Sequence, residues 1–396
     1  MNDEIVRVGA RGDGMTADGR YAPLAAPGDR LTADGTVIAG PHHRPPACRH
    51  YPRCGGCQLQ HLDDASYTDF VHDRVASALA AQRLSAPIRA PHLSPPDSRR
   101  RATLHAERRG KAVLLGFSAA GSHQLVDIVD CAILHPVLFS ILQPLRVMLA
   151  DVMPSRGRVD IQMTLVDQGI DLLLKGVEAD GLKAAEALAD FAAAHGLARL
   201  SIDQGLGPET RWAPVEPTVT LGGVPVGFPD GAFLQATADG EAALVAAVGE
   251  AVGEAAVIAD LFAGLGTFAL SLATGRRILA AEAAREAIMS LGVAGTTRGI
   301  ATAHRDLYRR PLMADELARF DAVVLDPPRA GAREQAEQLA ASTVPIVVYV
   351  SCNPSTFARD VKFMCEKGYG LDWVQPVGQF RWSTHVELAA RLSRQG

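Results

Sequence analysis

Val257-Ile-Ala-Asp260-Leu-Phe-Ala-Gly264-Leu-Gly266-Thr267-Phe268 is the stretch that decides the fold of this chain. An apolar strand signal, Val257 to Asp260, runs into a Gly-x-Gly turn, and a helical pattern follows. Glycines at such a turn let a ligand approach the backbone closely. Glu282 stands sixteen residues after Gly266, at the end of the next strand signal, where its carboxylate can accept hydrogen bonds from both hydroxyls of a ribose. NAD-binding folds share this layout, with an acid about 20 residues on. The third glycine of the dinucleotide fingerprint is absent, since Phe268 and Ala269 follow instead. A pyrophosphate needs a more open helix N-terminus. S-adenosylmethionine carries no phosphate and is satisfied by Asp-x-Phe-x-Gly-x-Gly, so it is expected here ahead of NAD. A glycine turn needed only for packing is the bland alternative.

The same grammar continues downstream. Strand signals at 277–281, 322–325 and 345–350 alternate with helical patterns, and an Ala-rich helix over 240–252 precedes the first strand. Strands separated by helices predict an α/β fold with a doubly wound, mostly parallel sheet and helices on both faces. That domain is expected over 228–396. A central α+β region is expected over 41–227, with strands at 102–106, 113–117 and 125–129, and then strand, turn, strand, helix and strand over 158–203. Tyr67, Phe70, Val71, Val75 and Leu79 recur on one face of a helix over 63–81, which is able to pack on the last domain. Residues 1–40 read as a small β module or arm, and Gly40-Pro-His-His-Arg-Pro-Pro46 as a linker.

Thirty-nine Lys and Arg against 44 Asp and Glu give a net charge of −5, so any binding to a polyanion must come from a local patch. No stretch near the N-terminus reads as a signal peptide, and no run reaches the ~18 apolar residues of a membrane span. A cytoplasmic location without a membrane partner is expected. The six cysteines are then better read as metal ligands, catalysts or core residues than as disulfides.

Two strand ends carry chemistry. Asp326-Pro-Pro-Arg329 follows the fourth strand signal, and a rigid turn with a carboxylate can grip a flat ring beside a methyl donor. Cys352, in Tyr-Val-Ser-Cys-Asn-Pro, follows the strand at 345–350. Carbon 5 of a pyrimidine is a poor nucleophile. A thiolate adding to carbon 6 places electron density on carbon 5, which can then take a methyl group. A base must remove the carbon 5 proton before the thiol leaves. Glu387 is the candidate base, with His385 on the same side of an extended segment. The start of the helix after Cys352 is expected to favour its ionised form. Cys365, within a helical pattern, reads as core.

Cys48, Cys54 and Cys57 form a Cys-x5-Cys-x2-Cys set, followed much later by Cys131. Four thiolates suit either a tetrahedral zinc or a four-iron cluster, and spacing alone does not separate them. Cys54-Gly-Gly-Cys57 leaves the loop room for a bulky group. Arg99, Arg100, Arg101, Arg108, Arg109 and Lys111 crowd one strand pair against a single acid, Glu107, and predict a positive stripe for phosphates.

The runs Asp-Leu-Phe-Ala-Gly-Leu-Gly, Leu-Asp-Pro-Pro-Arg-Ala-Gly-Ala and Val-Ser-Cys-Asn-Pro-Ser-Thr-Phe-Ala-Arg-Asp, with the closing His385-Val-Glu387, resemble the RNA 5-methyluridine methyltransferase family over about residues 48–396. The resemblance implies a Rossmann-like class I methyltransferase domain, Cys352 as nucleophile and Glu387 as base. It also implies contacts to S-adenosylmethionine from Gln235 (in Phe233-Leu-Gln235), Phe262, Gly264, Gly266, Thr267, Glu282, Asp306 and Asp326. In the ribosomal-RNA branch a [4Fe-4S] cluster is held by the pattern seen here at Cys48, Cys54, Cys57 and Cys131. That branch implies 23S ribosomal RNA as substrate and a monomeric enzyme. Alternatives are the same chemistry on transfer RNA, a non-catalytic iron–sulfur RNA-binding protein, and an NAD-linked redox enzyme. Two departures stand out. The last motif reads Phe380-Arg-Trp-Ser-Thr-His385-Val-Glu387 where the family has Phe-Pro-x-Thr-x-His-x-Glu. The N-terminal β module is also shorter than the family's TRAM module.

Overall fold

The run Ile346–Ser351 is buried at every residue but its first, as a strand covered on both faces must be. It lies inside an eight-stranded sheet of the computed structural model, which describes residues 3–110, 112–154 and 157–395. The strand order is Ile300–His304, Arg277–Glu282, Val257–Leu261, Ala322–Leu325, Ile346–Ser351, Glu387–Arg394, Tyr369–Gly378 and His92–Leu93. The first five pair in parallel. Glu387–Arg394 runs antiparallel to both of its neighbours.

Successive side chains on these strands enter opposite cores. Val323, Leu325, Val347 and Tyr349 join one cluster, and Ala322, Val324, Val348 and Val350 join the other. Each fully buried side chain of this size stabilises by roughly 1.5–3 kcal/mol. Helix Asp64–Ala81 supplies Tyr67, Phe70, Val71, Val75 and Leu79 to the first cluster, and Asp63 caps it by accepting from the Ser66 amide at 2.9 Å. The strand order turns back at Val257–Leu261, whose neighbours are Arg277–Glu282 and Ala322–Leu325. Crevices open at the carboxyl ends of strands at such switch points.

The central region forms a seven-stranded sheet ordered Pro208–Trp212, Arg199–Asp203, Gly169–Lys175, Arg158–Val166, Arg101–Arg109, Ala112–Ser118 and Leu125–Asp127. Helices Leu142–Val152 and Leu182–Ala194 cover one face and share a core with Leu104, Leu115, Leu172 and Leu200. Two pieces upstream of residue 228 pack with the catalytic sheet instead. His92–Leu93 adds its edge strand. Hairpin Thr218–Leu221/Val224–Gly227 buries Val219, Leu221 and Val226 in the second cluster. Its turn is Gly222-Gly223, both at positive φ, and a Cβ on Gly222 would meet the Leu270 carbonyl carbon at 2.5 Å.

The N-terminal residues form a three-stranded antiparallel sheet, Ile5–Val8, Gly14–Thr16 and Tyr21–Ala22, and a hairpin, Arg30–Leu31/Val37–Ile38. Ile5, Ala22, Ala25 and Leu31 give this module a small core of its own. Among the described residues no helix is long and apolar enough to cross a membrane.

Candidate active site

A cleft of about 1110 Å³ opens at the switch point and is lined by the segments that follow strands Val257–Leu261 and Ala322–Leu325 and by those around Cys352, Gln235 and Glu387. The Gly-rich loop bends through positive φ at Phe262 (62°), Gly264 (54°) and Gly266 (91°). A non-glycine residue there costs on the order of 1–3 kcal/mol and persists only where packing fixes it. The Phe262 ring is held against Tyr308, with centroids 5.5 Å apart. Gly264 faces open space. Gly266 does not face the cleft: a Cβ there would meet Leu291 Cδ1 at 2.4 Å, so this glycine allows two helices to approach. Thr267 starts the following helix at the cleft wall. Glu282 accepts from the Gly264 amide at 2.9 Å and from the Ala284 amide at 2.7 Å, so both oxygens are anchored and only their remaining lone pairs are free for hydroxyls. Asp306 lines the cleft while accepting from the Tyr308 and Arg309 amides.

Carboxylates dominate the floor. Asp260 is fully buried; its Oδ2 accepts from the Ala269 amide at 2.8 Å and its Oδ1 has no partner. Burial, and then Asp326 and Glu282, push its carboxyl up to about 8. Burial and Glu282 push Asp326 up to about 7. Glu387 is pushed up to about 8 by burial and by Asp326, against a hydrogen bond from Gln379 and the charge of Arg101. Such a set favours a bound cation and repels a pyrophosphate.

Cys352 is half-buried between strand Ile346–Ser351 and helix Pro354–Cys365, and Asn353 caps that helix by accepting from the Ser355 amide. The sequence led us to expect an ionised thiol here. Instead burial, then Glu387 and Asp326, push it up to about 11, and the opposing charge of Arg329 does not offset them. The resting group is a neutral thiol.

The base loop is braced from far away in sequence. The Trp382 carbonyl accepts from the Gln58 amide at 2.8 Å and the Leu59 amide at 2.9 Å. Tyr67 donates to the Phe380 carbonyl at 3.2 Å. Gln379 donates to Gln235 Oε1 at 2.8 Å and accepts from the Ala236 amide at 3.0 Å, so one buried amide ties the Gln235 segment to Glu387. Gln379, Tyr308 and the orphan oxygen of Asp260 escaped the sequence reading, and nothing but proximity to Phe380 or Asp306 marks the first two.

The basic residues do not form one stripe. Strand alternation turns Arg101 into the cleft, where its guanidinium lies 4.5 Å from the exposed Phe233 ring and burial brings it down to about 10. Arg99 lines the cleft with its guanidinium 5.4 Å from the Phe380 ring. Arg100 is committed inward, donating to the Gln235 carbonyl at 3.1 Å and to Glu241 at 2.7 Å. Arg108 donates to the Ala150 and Met153 carbonyls. Arg109 is exposed at the hairpin end, and Lys111 lies outside the described residues.

Cys48, Cys54, Cys57 and Cys131 surround one small cavity beside Tyr51, Phe117 and Ile133. Burial pushes Cys57 up to about 12 and Cys131 up to about 11. Among the described residues no three His, Cys, Asp or Glu side chains stand close enough together to hold a single ion. The four thiols thus enclose a space without converging on a point. Cys365 is half-buried against the first core cluster.

Residues 296–395 match the family described as tRNA (uracil-5-)-methyltransferase. An uncharacterized RNA methyltransferase of Zymomonas mobilis is 51% identical over 99% of this chain and 99% of its own length. The 23S rRNA (uracil(1939)-C(5))-methyltransferase RlmD of Halomonas elongata is 31% identical over 95% of this chain and 86% of its own length. The crystal structure of Pyrococcus abyssi tRNA (uracil-54, C5)-methyltransferase with S-adenosyl-L-homocysteine shares the fold at a TM-score of 0.75 and 21% identity, over 99% of this chain and 100% of that one.

Proposed function

Because this chain belongs to the RNA uracil-C5 methyltransferase family, we propose that it methylates carbon 5 of a uridine in 23S ribosomal RNA through a covalent bond between Cys352 and carbon 6 of the ring. One observation supports this above the rest. Cys352, Glu387 and Asp326 open into a single cleft, where burial holds both carboxyls well above the ordinary carboxylate range.

S-adenosylmethionine, when bound, supplies an electrophilic methyl group on a positively charged sulfur. Phe262, Gly264, Thr267, Glu282, Asp306, Asp326 and Gln235 are the residues to hold it. Gly266 serves the loop from behind. Asp326 with Pro327 and Pro328 forms a rigid lip for a flat uracil. The thiol loses its proton as it adds to carbon 6. After transfer, the Glu387 carboxylate takes the carbon 5 proton, the pair of that C–H bond forms the C5=C6 double bond, and the C6–S bond breaks to release Cys352 as thiolate. A carboxyl pushed up to about 8 is matched to such a transfer near neutral pH. Transfer RNA is the second reading, favoured by the name of the matching family. Likeness to a 23S-specific relative along nearly the whole chain outweighs it.

The four cysteines fit a [4Fe-4S] cluster better than zinc. A zinc ion draws its sulfurs to about 2.3 Å from one point. The four thiols border one small cavity, and the Cys54-Gly-Gly-Cys57 turn leaves the loop room for a bulkier, polynuclear group. Cys48, Cys54, Cys57 and Cys131 would be its ligands, and the group would cross-link the loop before Gln58 to the central sheet.

RNA containing 5-fluorouridine tests the reading, because fluorine blocks the final proton removal. Wild-type protein with S-adenosylmethionine should form a denaturant-stable complex with 23S fragments, and Cys352→Ala should form none. An adduct that persists in Cys352→Ala would assign the nucleophile elsewhere. A complex with transfer RNA alone would replace the substrate.

A further inference from the structure

Cys352 opens on two sides. Besides the cleft, a polar groove of about 530 Å³ ends at the thiol and shares Cys352, Arg329, Thr384 and His385 with it. Three regions supply its cations. Arg11 comes from the N-terminal module, Arg74 from helix Asp64–Ala81, and Arg329 from the Asp-Pro-Pro-Arg turn. No Asp or Glu lines it. None of these three arginines has a carboxylate within ion-pair distance among the described residues. Arg74 Nε is buried and has no acceptor. Burial, and then the charge of Arg329, bring that guanidinium below its ordinary range. His385 is likewise lowered by burial and then by Arg329, Arg99 and Arg74. A solvated surface patch would leave Arg74 hydrated. Here one buried donor of a half-buried arginine lacks an acceptor and lies beside a like charge, an arrangement that an anion relieves.

We propose that this groove seats one backbone phosphate of the RNA next to the target uridine, clamped by Arg74 and Arg329 with Arg11 at the rim. The inference rests on the reading of the chain as an RNA uridine methyltransferase. A uridine that leaves its stack to reach Cys352 must carry its phosphates outside the base pocket, and the groove begins where that pocket ends. The N-terminal module thereby gains a defined task, which is to deliver one cation to the strand beside the flipped base. Phosphate contacts of this kind fix register and do not read sequence.

The test uses the full-length protein and a short fluorescent oligouridylate, with anisotropy measured between about 50 and 200 mM salt. Arg74→Gln and Arg11→Gln should each flatten the log–log salt slope by up to about 0.7, the value for losing the one phosphate contact on a single strand. Arg74→Lys should keep most of the slope. S-adenosylmethionine titration should be unchanged in all three variants. If Arg74→Gln also loses the methyl donor, its fold is disturbed, and the exposed Arg11→Gln decides alone. Unchanged slopes in the Gln variants, with wild-type protein still transferring methyl groups to 23S RNA, would overturn the clamp and leave the function standing. A wild-type protein that binds the donor and methylates no RNA would remove the function, and the clamp with it.

Discussion

At the scale of the residue, burial raises both Cys352 and Glu387, the proposed nucleophile and base, above their ordinary ranges. Cys352 titrates at about 11, so its alkylation by iodoacetamide, with Cys352→Ala as the blank, should be slow near pH 7. The rate should rise about tenfold per pH unit as thiolate forms. Fast labelling that is flat with pH would show that the thiol is activated at rest. Glu387 is raised too, in a range where the shift governs stability. Its carboxyl rises from 4.5 to about 8 on folding, so the unfolded chain binds fewer protons between those values. Stability is therefore full below about pH 4.5 and is lost as pH climbs through about 8. The melting temperature of the donor-free protein should fall between those limits, and Glu387→Gln should flatten the fall. A fall of equal size in the variant would assign the effect to Asp260 and Asp326 alone. Cys352 and Glu387 were legible in the sequence because each stands in a short run of unusual composition. Gln379 was not, since it acts through Gln235, 144 residues away, and Arg101 was read only as part of a stripe. The neutral thiol was missed for the same reason: the two carboxylates that raise it come from other strands.

At the scale of the element, helix Pro354–Cys365 does more than carry the cysteine. Asn353 Nδ2 and Thr356 Oγ1 donate to the Arg329 carbonyl, both at 3.2 Å. Asp360 accepts from the Ala332 amide and the Tyr349 hydroxyl, both at 2.8 Å, and is buried. The turn after Asp326 is thus fixed to the helix after Cys352. Asp360→Ala would leave the buried Tyr349 hydroxyl without its acceptor, at a cost of about 1–3 kcal/mol, and the Ala332 amide with only that hydroxyl, at 3.1 Å. It should lower the melting temperature and slow methyl transfer more than Tyr349→Phe does. Equal activity in the two variants would mean that the turn holds without Asp360. Alternation of apolar runs made the parallel strands readable. The hairpin at Gly222-Gly223 was not readable as strands, because four-residue strands give too few alternations to separate from loop. His92–Leu93 is shorter still and is a strand only by virtue of its neighbour.

At the scale of the whole molecule, the cysteine set joins regions that composition alone could not connect. Cys57 is followed directly by Gln58 and Leu59, whose amides hold Trp382. If a cluster sits among the four thiols, protein purified without oxygen should be brown, with broad visible absorption. Cys54→Ser should lose the colour and several degrees of melting temperature. A colourless protein containing one zinc would overturn the cluster. The central sheet was foreseen, yet the positive stripe on it was not realised. Pleating sends alternate arginines to opposite faces, and the inward ones find carbonyls and Glu241.

Strand Glu387–Arg394 fills the place between Ile346–Ser351 and Tyr369–Gly378, although the ribosome delivers both of those neighbours first. A nascent chain can therefore build the donor pocket while its sheet still has a gap and its cleft still lacks a proton acceptor. On the proposed mechanism, turnover then waits until the segment around residue 387 has emerged and paired. The order of synthesis thus acts as a safety catch on an enzyme whose substrate class surrounds it from birth.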